Sequence, residues 1–298
     1  MKQLGKSDLY VSEVGFGCMS LGDNQEANSR LLLKAADNGI NFFDTADLYQ
    51  KGLNESFVGA ALKPIRKNVI IATKAGNQWR ADGSGWDWNP NKDYILKCAE
   101  QSLKRLKTDY IDLFQLHGGT IEDNIDETIS AFELLKQQGK IRWYGISSIR
   151  PNVIREYISR SNIVSVMMQY SVLDHRPEET VLDLLQEHDI SVITRGAVAQ
   201  GLLVGKTASE YLQYTDSEVT RAAKAIAHMA EEAGVTPLDV ALAYVWGHPA
   251  VATAAHGIRT ASQLDDALAA QQRAYTLSEN QRQLLRRVVR NFTYVQHR

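Results

Sequence analysis

The stretch Ile111-Asp112-Leu113-Phe114-Gln115-Leu116-His117 reads as a short, buried parallel strand that ends on an imidazole. Two earlier runs end the same way. Asn41-Phe42-Phe43-Asp44 closes on a carboxyl, and Asn68-Val69-Ile70-Ile71-Ala72-Thr73-Lys74 closes on an ammonium. Tyr49 lies five residues beyond Asp44. Barrel enzymes carry their chemistry at the C-terminal ends of parallel strands. A phenol, an ammonium, a carboxylate and an imidazole gathered there form an acid able to protonate a developing alkoxide, which reads as carbonyl reduction.

Outward from these runs, β-rich segments alternate with amphipathic ones. The strands expected are Val14–Gly17, Asn41–Thr45, Val69–Thr73, Ile111–Leu116, Ile141–Ile146, Val164–Gln169, Ser191–Thr194 and Val251–Ala255. Helical patterns lie between them, at Ala27–Asp37, Glu55–Lys63, Lys92–Leu106, Ile125–Gln138, Pro151–Ile158, Glu178–Glu187, Thr236–Trp246 and Ala261–Ala270. Such alternation predicts a parallel sheet with right-handed crossovers. An open sheet binds at one switch point, using a few adjoining loops. Candidate polar residues here follow at least seven strands: Asp44, Lys74, His117, Ser147, Gln169, Arg195 and Arg259. Only a closed ring brings so many strand ends to one pocket, so the expected fold class is α/β, a (β/α)8 TIM barrel. An N-terminal β-hairpin within residues 2–11 is expected to close the bottom. Extra helices are expected at Ser217–Glu232 and, near the C-terminus, Ser278–Arg290, with a tail at Asn291–Arg298. No linker or low-complexity tract interrupts the pattern, so residues 1–298 read as a single domain.

The chain has 298 residues, 44% hydrophobic and 23% charged, with a formal net charge of −2. That balance offers no general attraction to nucleic acid or to an anionic membrane surface. Cys18 and Cys98 have no metal-type spacing and read as reduced thiols, no apolar run is long enough to span a bilayer, and the start lacks a signal-like segment. The expectation is a cytoplasmic protein with no membrane or nucleic-acid partner; its oligomeric state, monomer or weak homo-oligomer, is left open.

Gly15-Phe16-Gly17-Cys18-Met19-Ser20-Leu21-Gly22, Phe43-Asp44-Thr45-Ala46-Asp47-Leu48-Tyr49, Ala72-Thr73-Lys74 and Asp109-Tyr110-Ile111-Asp112-Leu113-Phe114-Gln115-Leu116-His117 occur in that order. Tyr144-Gly145-Ile146-Ser147-Ser148, Gly201-Leu202-Leu203 and Gly257-Ile258-Arg259-Thr260 follow. Together they resemble the aldo-keto reductase superfamily over nearly the whole chain, and most of all its bacterial general-stress-type NADP-dependent members. The resemblance implies NADPH/NADP+ bound across the barrel mouth and a small-molecule carbonyl substrate. Asp44, Tyr49, Lys74 and His117 would be the catalytic set, with Tyr49 the proton donor, Lys74 the neighbouring charge, Asp44 its partner and His117 a neutral donor to the substrate oxygen.

The resemblance also implies that Ser147 or Ser148, with Gln169, holds the nicotinamide carboxamide; the usual asparagine is Ser148 here. Gly196 and Gly201-Leu202-Leu203-Val204-Gly205-Lys206 resemble the loop over the cofactor pyrophosphate, with Gly201, Leu203 and Lys206 as contacts. This segment is one residue too short for a P-loop and lacks its strand-loop-helix context. Arg195 stands where the family has an aromatic residue and could stack on the ring or meet phosphate. Gly257 and Arg259 open the last barrel helix, an arrangement suited to a 2′-phosphate, with Thr260 as N-cap and Gln263 matching an adenine contact. Asp266-Ala267 replaces the usual Glu-Asn. Trp79, Trp86 and Trp88 either wall a substrate pocket or pin their loop. Two other function classes compete: an NADP(H)-binding regulatory or sensor protein of the same fold with little turnover, and a Schiff-base aldolase acting through Lys74.

Overall fold

The computed structural model describes residues 1–298. Eight parallel strands close into one barrel. They are β1 (Val14–Gly17), β2 (Phe42–Asp44), β3 (Ile70–Ala75), β4 (Ile111–Leu116), β5 (Ile141–Ser147), β6 (Ser165–Gln169), β7 (Ser191–Arg195) and β8 (Val251–Gly257). Each strand pairs with its neighbours in sequence, and β8 pairs with β1. Ten α-helices accompany them. They are α1 (Gln25–Asp37), α2 (Leu53–Leu62), α3 (Lys92–Leu106), α4 (Ile125–Gln137), α5 (Pro151–Arg160), α6 (Val181–Glu187), α7 (Asp216–Ala233), α8 (Pro237–Trp246), α9 (Ala261–Arg273) and α10 (Glu279–Val288).

Alternation along each strand explains the two cores. Residues pointing outward join a large cluster beneath the helices, including Phe43, Ile71, Phe114 and Val192. Residues pointing inward form a separate cluster: Phe42, Ile70, Ala72, Leu113, Met167, Ile193 and Ala252. Side chains two apart share a face. Continuing the inward series Phe42, then Ile70 and Ala72, then Leu113 therefore gives Asp44, Lys74 and Gln115. The polar layer sits directly above the apolar one.

The expected N-terminal hairpin is present, pairing Lys2–Gln3 with Tyr10–Val11. Its Leu4, Leu9 and Val11 are buried in the inner cluster and seal the lower end of the barrel. Four helices begin with reciprocal capping boxes, at Thr215, Thr236, Thr260 and Ser278. Each satisfies two otherwise orphan backbone donors.

The structure corrects the sequence reading in three places. Helix α6 starts at Val181 rather than Glu178, because Pro177 opens a short 3-10 turn and Thr180 leaves helical geometry. The segment after β3 is not a plain loop. Asn77–Trp79 pairs with Trp86–Trp88 as an antiparallel hairpin. The tail after α10 folds back over the barrel top, where Asn152 N donates to His297 O at 2.9 Å.

One close approach fixes the layer of helices. A Cβ on Gly59 of α2 would lie 2.5 Å from the backbone of Leu106 at the end of α3. We expect Gly59→Ala to destabilise the fold by about 1–3 kcal/mol through overpacking. Urea unfolding followed by circular dichroism checks this, and an unchanged midpoint would contradict the close contact.

Candidate active site

Lys74 and Asp44 are both buried on adjacent strands, and Lys74 is wholly enclosed. Its Nζ donates to Asp44 Oδ2 at 2.7 Å and to the carbonyl of Thr45 at 2.8 Å. A third, longer bond of 3.4 Å reaches the Tyr49 hydroxyl, with Nζ 5.1 Å from the centre of its ring. The His117 ring stands edge-on to Tyr49, centroids 6.0 Å apart. The three groups that the sequence places at separate strand ends, and Tyr49 beyond the first of them, thus form one constellation.

The first turn of α2 holds these strand ends in place. Asn54 accepts from Thr45 Oγ1 at 2.7 Å and donates to the Cys18 carbonyl. Glu55, fully buried, accepts from Thr73 Oγ1 and from Arg105 Nε, both at 2.6 Å. Between β2 and α2 the chain passes through three consecutive left-handed residues, Gln50, Lys51 and Gly52. Two of them carry side chains, so the turn presenting Tyr49 is strained at about 1–3 kcal/mol per residue. Its restraints include Gln50 bonded to Asp23 at 2.9 Å and Asn54 bonded to Gln50 at 3.3 Å.

The charges follow from burial and neighbours. Burial disfavours the Lys74 cation, yet attraction to Asp44 and Tyr49 outweighs it and holds the ammonium above its usual range. Burial pushes the Asp44 carboxyl up, against the pull of Lys74. With Nζ donating to both Asp44 and a carbonyl, the ion pair is the form this geometry favours. Burial also raises the Tyr49 phenol, and Asp44 adds to it; Lys74 opposes them but does not win. The pull of Lys74 on the phenol is the one a neighbouring ammonium should exert, and burial is what outweighs it. Tyr49 keeps its proton at neutral pH, with the Lys74 ammonium against its hydroxyl. Burial, Lys74 and Arg195 together lower His117 to about 3, so its imidazole is neutral. Its Nδ1 is buried without a partner.

A cavity of about 1560 Å³ opens over these groups. Ser147, Ser148, Gln169, Arg195, Gly196, Gly201, Lys206, Gly257, Arg259 and Gln263 all line it, around the arc from β5 to the start of α9. Leu203 does not. Its side chain is 1% exposed and packs in the outer core, because the turn after Gly201 sends Leu202 and Leu203 inward; Val204 lines the cavity instead. Gln169 is held at both ends, accepting from Arg195 at 3.0 Å and donating to Tyr211 at 3.1 Å. Gln263 Oε1 accepts from the backbone of Arg259 and Thr260, and Arg259 Nε donates to Ser20 O at 3.2 Å.

Of the three tryptophans, Trp86 lines the cavity and is 51% exposed. Trp79 packs against Trp86 with ring centres 5.8 Å apart. Trp88 donates to Asp123 and covers Gly76 and Gly118, where an added Cβ would approach its ring to 2.7 and 3.0 Å. Glycine at 118 thus makes room for Trp88. Residues Thr293–His297 of the tail, with Tyr211 and Arg150, are cavity walls to which the sequence reading gave no role. Phe292 and Tyr294 bracket the Arg176 guanidinium at 5.1 and 4.7 Å. Two aromatic residues in a tail that is polar apart from them and Val295 were the available signal.

Fold and mouth together define a barrel-type oxidoreductase. Residues 13–289 match the model of the Aldo/keto reductase family, and the chain belongs to that family. It is 51% identical to the uncharacterized oxidoreductase YqkF of Bacillus subtilis, over 100% of this chain and 99% of that protein. The holo form of the aldo-keto reductase AKR11C1 from Bacillus halodurans superposes with a TM-score of 0.93 at 49% identity, covering 99% of this chain and 98% of that one. A protein named as an NADH-specific methylglyoxal reductase, from Escherichia coli, is 32% identical over 70% of each chain. No helix is long and apolar enough to cross a membrane.

Removing Asp44 leaves a buried ammonium without its carboxylate. Asp44→Ala should cost about 3–5 kcal/mol, and the double change Asp44→Leu with Lys74→Met should cost clearly less. Chemical denaturation of the two variants measures the difference. A second titration follows from Asp47, which burial and Glu55 raise to about 7. Its raised folded value favours the native state at low pH, and that contribution is lost as pH climbs from about 4 through 7. Asp47→Asn should flatten this decline in a series of thermal melts; a slope identical to the parent's would count against a buried, raised Asp47.

Proposed function

We propose that the chain reduces an aldehyde or ketone to an alcohol with NADPH, and runs in reverse when alcohol accumulates. The observation carrying this reading is the chain of contacts from Asp44 through Lys74 to Tyr49, with neutral His117 beside the phenol, at the floor of the cavity.

The cavity suits a nicotinamide dinucleotide. Arg195, Lys206 and Arg259 line it, and none is paired with a carboxylate, so their charge is available to phosphates. Gly196 and Gly201 have positive φ, 70° and 92°, where backbone can come close to a ligand without a side chain intervening. Ser147, Ser148 and Gln169 would hold the carboxamide, and Arg259 at the start of α9 the 2′-phosphate. A cofactor bound there supplies the hydride.

This chain's own residues manage the oxygen. His117, uncharged, donates to the carbonyl and orients it. Tyr49 holds its proton until charge develops, then donates it. Lys74 is already fixed by Asp44 and Thr45, so it stabilises the phenolate without reorganising. Water on the alcohol side returns the proton between turnovers. An aldolase acting through Lys74 fits poorly, because that amine is wholly enclosed and held charged, whereas a Schiff-base nucleophile must be neutral and accessible.

Loss of NADPH absorbance with a panel of small aldehydes and ketones tests the activity. Tyr49→Phe should lower kcat by about 10²–10⁴-fold with little change in the Kd for NADPH. Equal loss of both would make residue 49 structural. Arg259→Ala should weaken NADPH by about tenfold and NADH far less; isothermal titration with both cofactors decides it, and an equal effect removes the 2′-phosphate role.

A further inference from the structure

Four cations line the cavity without a carboxylate partner: Arg150, Arg195, Lys206 and Arg259. Three of them follow β7 and β8, the arc already assigned to the cofactor. Arg150 does not belong with them. It follows β5, which stands opposite β1 in the closed ring, on the side of the mouth where His117 ends β4.

Its surroundings explain how it is held. The Arg150 backbone N–H donates to Ser148 Oγ at 3.2 Å, and Nη1 donates to the carbonyl of Gly119, two residues beyond His117. The side chain is half-buried. Nε and Nη2 donate to no protein atom, and neither is sealed from solvent. A half-buried guanidinium anchored through one nitrogen leaves donors free. A carboxylate matches that planar group better than any neutral acceptor does.

Resting on the reductase reading, the geometry points to a second subsite, an anion-binding one at Arg150. The substrate it selects is an aldehyde or ketone that also bears a carboxylate, its carbonyl toward His117 and Tyr49. Gly118 and Gly119, with φ of 145° and 122°, form the short span between the imidazole and the guanidinium. That span suits a compact oxo-acid rather than a long acyl chain. Arg150 is then a specificity-determining residue, and it touches neither the proton nor the hydride.

A matched pair of substrates tests this. Succinic semialdehyde and butanal share a four-carbon skeleton and differ by the carboxylate. The parent protein should show a kcat/KM at least about tenfold higher for succinic semialdehyde, chiefly through KM. Arg150→Gln should bring the ratio of the two values close to one, and Arg150→Lys should restore part of it. The ratio is internally referenced, so a general loss of folded enzyme cancels. A parent ratio near one, or a ratio that survives in Arg150→Gln, overturns the subsite while leaving the reductase reading intact. A rise in the Kd for NADPH in Arg150→Gln, with the preference unchanged, would assign Arg150 to the cofactor and likewise overturn it. Absence of turnover with both aldehydes and a wider panel, using NADPH or NADH, would remove the reductase reading and the subsite with it.

Discussion

A buried ammonium must be paired, and the barrel is built around that requirement. Lys74 exposes essentially none of its surface to solvent, so its charge depends on Asp44 from the neighbouring strand and on the Thr45 carbonyl. One partner ends β2 and the other follows it directly, and both distances depend on the register between β2 and β3, which pairs Asp44 with Ala72. Slipping either strand by one residue would turn its polar end outward and its outer-core residues inward. The apolar layer below and the ion pair above therefore specify the same register. Closure of the ring adds His117 and the walls of the cavity.

Above the ion pair, the mouth is divided by chemistry. Titratable groups in mutual contact occupy the arc from β2 to β4, and unpaired cations with glycine-rich backbone occupy the arc from β7 to α9. Neutral side chains that both donate and accept, Ser147, Ser148 and Gln169, lie between them at β5 and β6. A long ligand with a phosphate end and a reactive end can lie across such a mouth in one direction only. The tryptophan hairpin and the tail narrow the space above, the first through Trp79 against Trp86 and the second through Phe292 and Tyr294 about Arg176.

Much of this was legible in the chain. Strands β1 and β4 were read with both ends as observed, and the other barrel strands to within one or two residues, because buried parallel strands are continuous apolar runs. The strand-end residues were legible for the same reason, since a polar group closing such a run marks the mouth. The hairpin at Asn77–Trp88 was not, being two exposed three-residue strands whose pairing depends on Trp79 meeting Trp86. The return of the tail depends on contacts with Arg176 and Asn152, far away in sequence. Leu203 looked like a contact because it sits among glycines, but the turn buries it. The direction of the Tyr49 shift could not be read either. A neighbour's charge is visible in a sequence, while the burial that competes with it appears only in three dimensions.

The two chain ends lie at opposite poles of the barrel. Met1 is exposed just ahead of the hairpin that plugs the lower end, whereas the last residues lie along the rim of the cavity. The poles are therefore unequal as attachment points. A purification tag, a fluorescent reporter or a surface tether placed before Met1 hangs from the sealed base, away from ligand traffic. The same fusion placed after Arg298 would crowd the doorway. Joining Met1 to Arg298 to make a circular permutant would also require a linker running the full height of the barrel.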